Sequence, residues 1–155
     1  MTTKPARTLQ PGDPHLADFL CFAIYSANLA YGKAYKPILE ELGLTYTQYI
    51  TIVALWENEQ LTVSSLGEKL FLESNTLTPI LKKLESLGYL TRQRDPKDER
   101  QVVVTLTDAG RALREKALPM NLVKESGLAP DEFKAVQKMI TRLRDNLVTA
   151  VKDSA

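Results

Sequence analysis

The chain has 155 residues, a formal net charge of +1 and 44% apolar residues, which is enough for the core of one domain. One cysteine excludes an intramolecular disulfide framework, and one histidine makes a metal site of histidines and cysteines implausible. No run of about 18 apolar residues indicates a membrane span, and residues 1–15 lack the apolar segment of a secretory signal. We therefore expect a cytoplasmic protein without a metal or cofactor, with a flexible polar arm over residues 1–12 and a single domain over residues 13–155.

The N-terminal part of the chain is predicted to be helical. The pair Asp13-Pro14 is typical of a helix start, and the apolar spacing that follows predicts a helix over residues 13–36. Pro37 is expected to interrupt this helix and to leave a short one that ends at Gly43. Thr45 or Thr47 is then expected to cap the next helix.

The most informative stretch runs from residue 62 to residue 106. Two short helical patterns begin at Thr62 and Ser74, and two β-like runs at 89–94 and 101–106 then flank the charged turn DPKDER. This order is that of a winged helix-turn-helix, in which one helix enters the major groove and the hairpin tip contacts the backbone or the minor groove. The sequence therefore predicts a mainly α fold with a small β-hairpin wing, which binds duplex DNA through a lobe at about residues 45–106.

The C-terminal part is again predicted to be helical. One helix begins at Thr107-Asp108 and ends at Pro119, and the last runs from about Asp131 to Val151 with one apolar stripe. The end helices, about 13–36 and 107–153, have little within a small winged module to cover them. We expect them to pair with a second copy of the chain, with packing on the DNA-binding lobe as the alternative.

The predicted DNA-binding residues lie on the second helix and in the charged turn. If Ser74 caps that helix, its leucines are buried and its short polar groups and lysines face outward, where they can contact bases or phosphates. Arg100 is placed to enter a minor groove, with Asp98 as a bidentate partner of its guanidinium. A solvated helix face and a solvated charge run are the alternatives. The predicted set is Ser74, Asn75, Thr76, Thr78, Pro79, Lys82, Lys83, Arg94, Lys97, Asp98 and Arg100.

Cys21 is the candidate reactive residue. A lone cysteine on an apolar helix is most often a small buried hydrophobe, but five of the six tyrosines lie within 28 residues of this one. Phenol hydroxyls can donate to a thiolate and favour its charged form. Tyr25 shares the helix face of Cys21, whereas Tyr35 would lie about 21 Å away along a continuous helix. Tyr35 therefore cannot reach the thiol of its own chain, unless the helix breaks.

Several segments resemble a known family. The runs ESNTLTPILKKLE, DPKDER and LTDAGRALREKA resemble the MarR family of dimeric winged-helix repressors. The segment LCFAIYSANLAYGKAYKPILEELGLTYTQYITIVALWE resembles its OhrR branch, whose members sense organic hydroperoxides through one cysteine. The resemblance implies a homodimer on pseudo-palindromic operator DNA, with Arg100 as the wing-tip arginine, Asp98 as its partner and residues 74–83 as the recognition surface.

The same resemblance implies a redox switch. Cys21 is the redox-sensing residue, and Tyr35 and Tyr46 of the other subunit hydrogen-bond its thiolate. An organic hydroperoxide is then the inducer, because oxidation of the thiol to a sulfenic acid breaks these contacts and releases the DNA. The sequence has no resolving cysteine, and Ser126 lies in about the region where two-cysteine members carry one. An apolar pocket for the peroxide is expected, with plain core as the alternative, from Phe19, Leu20, Phe22, Ile24, Ile52 and Trp56.

Three other functions stay open at this point. The first is a repressor released by reversible binding of an aromatic ligand, with a structural Cys21. The second is a thiol peroxidase, which we disfavour because we expect no arginine or histidine beside the Cys21 thiol and the sequence has no second cysteine. The third is a helical adaptor with no DNA role. We expect a regulator rather than an enzyme.

Overall fold

The computed structural model describes residues 12–117 and 122–154. Residues 1–11 of the expected arm and the predicted helix end at Pro119 lie outside the described residues. No helix in the described part of the chain is both long and apolar enough to cross a membrane. The helices are α1 (Leu20–Leu42), α2 (Tyr46–Glu57), α3 (Val63–Leu70), α4 (Ser74–Ser86), α5 (Asp108–Ala117), α6 (Leu122–Ser126) and α7 (Pro130–Asp153), and the strands are β1 (Gln60–Thr62), β2 (Leu90–Arg94) and β3 (Val102–Leu106).

The chain divides into two compact units, Met1–Lys36 and Pro37–Ala155. In the first unit the predicted helix start at Asp13-Pro14 is wrong, because a 3₁₀ turn over Leu16–Asp18 and an extended Phe19 precede α1. The predicted break at Pro37 is also wrong: α1 continues through this proline to Leu42. A proline within a helix removes one backbone hydrogen bond, and the residues beyond it are held by the buried Leu39 and Leu42.

In the second unit, side-chain caps fix the starts of α2 and α3. The Thr45 hydroxyl accepts a hydrogen bond from the Gln48 N–H at 3.3 Å, and the Gln48 side chain accepts one from the Thr45 N–H at 2.9 Å, which makes a capping box. Thr62 caps α3 by accepting from the Ser65 N–H at 3.1 Å. Thr45, and not Thr47, is therefore the cap of α2.

The wing is a three-stranded antiparallel sheet of order β1-β3-β2. Leu90 pairs with Leu106 and Arg94 with Val102, as the predicted hairpin requires. The prediction missed β1, whose Gln60 pairs with Thr105 on the other edge of β3. Three residues between two helices carry no alternation that would mark a strand, so β1 is defined by its partner strand.

One hydrophobic core joins α2, α3, α4, α5 and the sheet. Helix α4 contributes three leucines that are almost wholly buried, and β3 contributes Val104. Two glycines allow the close packing around this core: a Cβ at Gly67 would lie 2.7 Å from the Leu72 carbonyl oxygen, and a Cβ at Gly110 only 2.1 Å from that of Tyr89. The core residues include Ile52, Leu55, Leu66, Leu77, Leu81, Leu84, Leu90, Val104, Leu106, Leu113 and Ala117.

The two long terminal helices leave apolar side chains exposed. Helix α7 buries none of its residues, and Met139 and Val151 are 57% and 70% exposed. It begins at Pro130 and ends at Asp153, close to the predicted limits, but the predicted connection before it contains the short helix α6. Helix α1 buries only Leu39 and Leu42, while its apolar residues in the first unit, such as Leu20 and Leu29, are exposed.

Candidate DNA-binding surface and thiol site

Helix α4 presents one polar face to solvent and buries the opposite one. Leu77, Leu81 and Leu84 are buried, as their spacing predicts. The predicted contact residues on this helix are exposed, except for Thr78, which is half-buried. The exposed ones are Ser74, Asn75, Thr76, Pro79, Lys82 and Lys83.

The start of α4 differs from the prediction in one respect. Ser74 is the first helical residue, and the N-cap is Glu73, which makes no side-chain capping bond. The Ser74 carbonyl accepts a hydrogen bond from the Thr78 hydroxyl at 2.7 Å. Pro79 lies inside the helix, where it forfeits one backbone hydrogen bond on the exposed side. The first turn of α4 therefore exposes its polar side chains, and no side-chain cap occupies the N-terminus of the helix.

The charged turn between β2 and β3 is closed by its own hydrogen bonds. The Asp95 N–H donates to the Gln101 carbonyl and the Gln101 N–H to the Asp98 carbonyl, both at 2.9 Å. The Asp98 carboxylate accepts from the Arg100 N–H and from the Gln101 side-chain amide, both at 3.1 Å. The predicted pair between Asp98 and the Arg100 guanidinium is not made here; the carboxylate accepts instead from the Arg100 backbone and the Gln101 side chain.

The other two predicted residues of the turn have different surroundings. The Arg94 guanidinium donates to the Glu99 carbonyl at 3.3 Å across the turn. The Lys97 N–H donates to the Asp95 carboxylate at 2.8 Å, and the Lys97 side chain is exposed. Arg94 thus helps to close the wing tip, while Lys97 and Arg100 present their charges outward.

A cleft of about 350 Å³ connects α3, α4 and the wing. It brings together three predicted residues, Ser74, Thr78 and Arg100, with two that sequence reasoning missed, Ser64 and Arg92. Hydroxyls and guanidinium groups are the donors that contact phosphate oxygens in DNA complexes. Ser64 follows the cap of α3 by two residues, so its position at an exposed helix start was the available signal.

Arg92 is held by an ion pair that the sequence analysis did not foresee. Its N–H donates to Oε1 of Glu85 at 3.0 Å, and its Nε and Nη2 donate to Oε2 at 3.0 Å and 2.6 Å. These hydrogen bonds from Arg92 lower the pKa of Glu85 and outweigh the opposing effect of partial burial. A folded-state pKa below the unfolded one means that the pair stabilises the fold at neutral pH, and that this stability is lost as the pH falls through the lowered value.

Cys21 lies at the second position of α1 and is exposed. The helix begins at Leu20 rather than at residue 13 or 14, so the thiol is nearer to the positive end of the helix dipole than the sequence suggested. Tyr25 is exposed and its ring lies 6.3 Å from that of Phe22. Because α1 is continuous, Tyr35 lies about 21 Å further along the helix and is not a neighbour of the Cys21 of its own chain.

The remaining predicted tyrosine lies in the second unit. Tyr46 is the first residue of α2 and is 40% exposed. Burial, and then the neighbouring Tyr46, raise the pKa of Tyr49, whose ring meets Trp56 edge-on at 6.3 Å. Trp56 donates to the Gly110 carbonyl at 2.9 Å, and Ile52 is fully buried. Trp56 and Ile52 are therefore residues of the core, which was the stated alternative to a peroxide pocket.

Ser126 ends α6, and its hydroxyl group both donates and accepts a hydrogen bond. Its hydroxyl donates to the Val123 carbonyl at 2.6 Å and accepts from the Leu128 N–H at 3.2 Å. The serine thus closes the helix before Gly127, which has a positive φ of 70°. Among the described residues, no group of three or more histidine, cysteine or acidic side chains is arranged to hold a metal.

Comparison with known proteins identifies the family. The family described as transcriptional regulator SarA/Rot matches residues 33–117. The HTH-type transcriptional regulator TtmR of Methylorubrum extorquens is 46% identical over 138 residues, 87% of this chain and 71% of that protein. The organic hydroperoxide resistance transcriptional regulator of Bacillus subtilis is 41% identical over 137 residues, 85% of this chain and 91% of that protein. The chain belongs to the MarR/SarA family of winged helix-turn-helix regulators.

The solved structure of a similar protein on DNA supports the same family assignment. Reduced AbfR bound to DNA matches with a TM-score of 0.72 and 38% identity, over 86% of this chain and 94% of that one. AbfR, a protein of Staphylococcus epidermidis, is also solved in an overoxidized form bound to DNA and in a disulfide form. The predicted winged-helix fold is confirmed, and the protein is a DNA-binding transcriptional regulator and not an enzyme.

Proposed function

We propose that the regulator is a homodimeric repressor that binds pseudo-palindromic operator DNA and releases it when an organic hydroperoxide oxidises Cys21. The observation that carries this proposal is the exposed thiol at the second position of α1, in a chain similar to an organic hydroperoxide resistance regulator. The alternative, release by an aromatic ligand, predicts a switch that does not need this thiol.

The DNA surface in this proposal is the polar face of α4 together with the wing. Helix α4 enters the major groove with its exposed first turn foremost, where Asn75 and Thr76 contact bases. Lys82 and Lys83 contact phosphates further along the helix. The wing tip carries Arg100 to the minor groove, and Lys97 to the backbone beside it.

The dimer is formed by the end helices. Their exposed apolar side chains include Leu20 and Leu29 on α1, and Met139, Leu147 and Val151 on α7. Helices with this much exposed apolar surface are stabilised when a second copy covers it. A dimer also presents two α4 helices to DNA, which successive major grooves accept about 34 Å apart.

The reactive site is completed across the dimer. Tyr35 and Tyr46 of one subunit donate hydrogen bonds to the thiolate of the other, and Tyr25 lies one turn from Cys21 on its own helix. Tyr35 can serve only in this way, since it lies about 21 Å from Cys21 along a helix that does not break. The start of α1 adds a favourable dipole for the negative sulfur.

The proposed chemistry is a single two-electron oxidation. The Cys21 thiolate attacks the distal oxygen of the hydroperoxide, an S–O bond forms and the O–O bond breaks. The alkoxide leaves and takes a proton from solvent, so the peroxide is reduced to an alcohol and the thiolate is oxidised to a sulfenic acid. The tyrosine hydrogen bonds to the thiolate are then lost, and the dimer shifts to a form whose α4 helices no longer fit the operator.

The state that releases DNA is proposed to be the sulfenic acid or its mixed disulfide with an external thiol. The chain has one cysteine, so no internal disulfide can form. Overoxidized AbfR is itself seen on DNA, which favours an early oxidation product over an overoxidized one as the releasing state. In this chain Ser126, whose hydroxyl already caps α6, stands in the region of the resolving position.

Replacing Arg100 by alanine tests the DNA surface. The variant is expected to bind promoter DNA about 10- to 100-fold more weakly, because the wing loses its minor-groove contact. Fluorescence anisotropy with a labelled promoter duplex measures this change. Arg114→Ala, which removes the same charge from an exposed position on α5, is the matched control and should keep nearly full affinity. Equal losses in the two variants would contradict the proposed role of the wing.

A mixed dimer tests the trans arrangement of the thiol site. One subunit carries Cys21→Ser and the other Tyr35→Phe, so that the remaining thiol and the remaining phenol are on different chains. A site shared between subunits retains one intact pair, and the Cys21 thiol should react with cumene hydroperoxide at the wild-type rate per site. A Tyr35→Phe homodimer is the control and should react more slowly. If the mixed dimer reacts as slowly as this control, Tyr35 does not act across the dimer.

A further inference from the structure

The last turn of α4 is joined to the middle of β2 by the ion pair between Glu85 and Arg92. Both carboxylate oxygens and three nitrogens of one arginine take part, at distances of 2.6 to 3.0 Å. The side chains are 24% exposed at Arg92 and 36% at Glu85, so the pair lies at the margin of the core. Hydrogen bonds of this charged, forked kind are the strong and directional ones.

The position of Arg92 connects this ion pair with the proposed DNA-binding surface. Arg92 shares a face of β2 with Leu90 and Arg94, and its partner on β3 is the fully buried Val104. The same side chain lines the cleft between α3, α4 and the wing, together with Arg100 and Ser74. If Glu85 released it, the Arg92 guanidinium would stand as a second free cation in a cleft that faces DNA.

The charges of the surrounding segment make one such cation important. Residues 82–100 contain six basic and four acidic side chains, an excess of only two. Affinity for DNA of any sequence is set by the number of phosphates that the protein neutralises. Removing the Glu85 charge, which also frees Arg92, would therefore raise this excess from two to three, an increase by half.

We propose that Glu85 is a specificity-determining residue, which holds the Arg92 guanidinium on the protein and so withholds it from DNA phosphates. The consequence is a weaker affinity for random DNA and a larger ratio between operator and random binding. Arg92 acts as a positioning residue that joins α4 to the wing, and it is not itself a DNA contact. The proposal rests on the proposed placement of α4 and the wing against DNA.

Glu85→Gln is the test variant, measured on a random-sequence duplex by fluorescence anisotropy over a series of salt concentrations. Arg92 is freed in this variant and should neutralise a phosphate. The expected result is tighter binding to random DNA and a slope of log affinity against log salt that is steeper by about 0.9 per protomer. The ratio of promoter to random affinity should fall.

Two controls separate this effect from the general loss of a negative charge. Glu99→Gln removes an exposed carboxylate from the wing that makes no ion pair recorded within residues 12–117 and 122–154, and it should change the slope much less. In a protein that already carries Arg92→Gln, adding Glu85→Gln should change the slope by no more than Glu99→Gln does. An unchanged slope for Glu85→Gln, or a similar change in both backgrounds, would overturn the proposal.

A second variant keeps the test decisive if Glu85→Gln unfolds. Arg92→Lys retains the charge but cannot form the forked pair, so it should also bind random DNA more tightly and with a steeper slope. If both variants instead bind promoter and random DNA more weakly than wild type, the pair is only a structural brace. Failure of the wild-type protein itself to bind either duplex would be a failure of the proposed function, which the same titrations record separately.

Discussion

A Cys21→Ser protein is expected to bind promoter DNA as tightly as the wild type and to stay bound when an organic hydroperoxide is added. Serine is close to cysteine in shape and is not oxidised by peroxides, and the exposed position leaves no buried polar group unpaired. The wild-type protein should lose affinity by an amount typical of allosteric coupling, on the order of 5- to 150-fold. Anisotropy titrations with and without cumene hydroperoxide measure both values.

The alcohol that corresponds to the peroxide provides the control. It has the same aromatic group but cannot oxidise a thiol, so it should leave wild-type binding unchanged. Release of the wild type by the alcohol, or of Cys21→Ser by the hydroperoxide, would contradict the redox switch. Either result would favour the alternative in which an aromatic ligand binds reversibly and Cys21 is structural.

Of the substitutions proposed here, Gly110→Ala is expected to cause the largest loss in the free energy of unfolding. The added Cβ would lie 2.1 Å from the Tyr89 carbonyl oxygen and 2.9 Å from a methyl carbon of Leu106. The backbone near Gly110 is further fixed by the Trp56 side chain, which donates to the Gly110 carbonyl at 2.9 Å. Because backbone cannot yield as a flexible side chain does, we expect a loss of about 3 kcal/mol, the upper end for overpacking.

Urea denaturation at a fixed protein concentration measures this loss, since the stability of the proposed dimer would depend on concentration. Ala112→Gly is the control on the exposed side of the same helix, and it should cost about 1 kcal/mol through helix propensity. If Gly110→Ala were no more destabilised than this control, α5 would be free to move away from the turn at Tyr89. The close packing of α5 against the start of the wing would then not be required for the stability of the fold.

The helix-turn-helix and wing were predictable because their signals are local. Thr62 caps a helix, Gly88 adopts a positive φ of 79° after α4, and the charged turn separates two paired strands, as the two β-like runs predict. The outward-facing residues of α4 were predictable in the same way, since the spacing of its leucines determines which side faces solvent.

The features that were missed depend on contacts between different helices and strands. Strand β1 is defined only by its pairing with β3, and the Glu85–Arg92 pair only by the approach of α4 to β2. Pro37 was expected to end a helix, yet packing of Leu39 and Leu42 sustains it. The proposed thiol site depends on a second subunit, so the length of α1 indicates which tyrosine is excluded within one chain but not the contacts that would replace it.

The most direct measurement of the proposed redox switch follows oxidation of Cys21 and DNA release in the same samples. The wild-type protein on its promoter duplex is titrated with cumene hydroperoxide; anisotropy reports the bound DNA, and intact-mass spectrometry reports the oxidation state of Cys21. We expect DNA to be lost in proportion to the oxidised Cys21 and to be bound again after reduction with a thiol. DNA that stays bound when Cys21 is fully converted to a sulfenic acid or a mixed disulfide, or that leaves while Cys21 is still reduced, would contradict this switch.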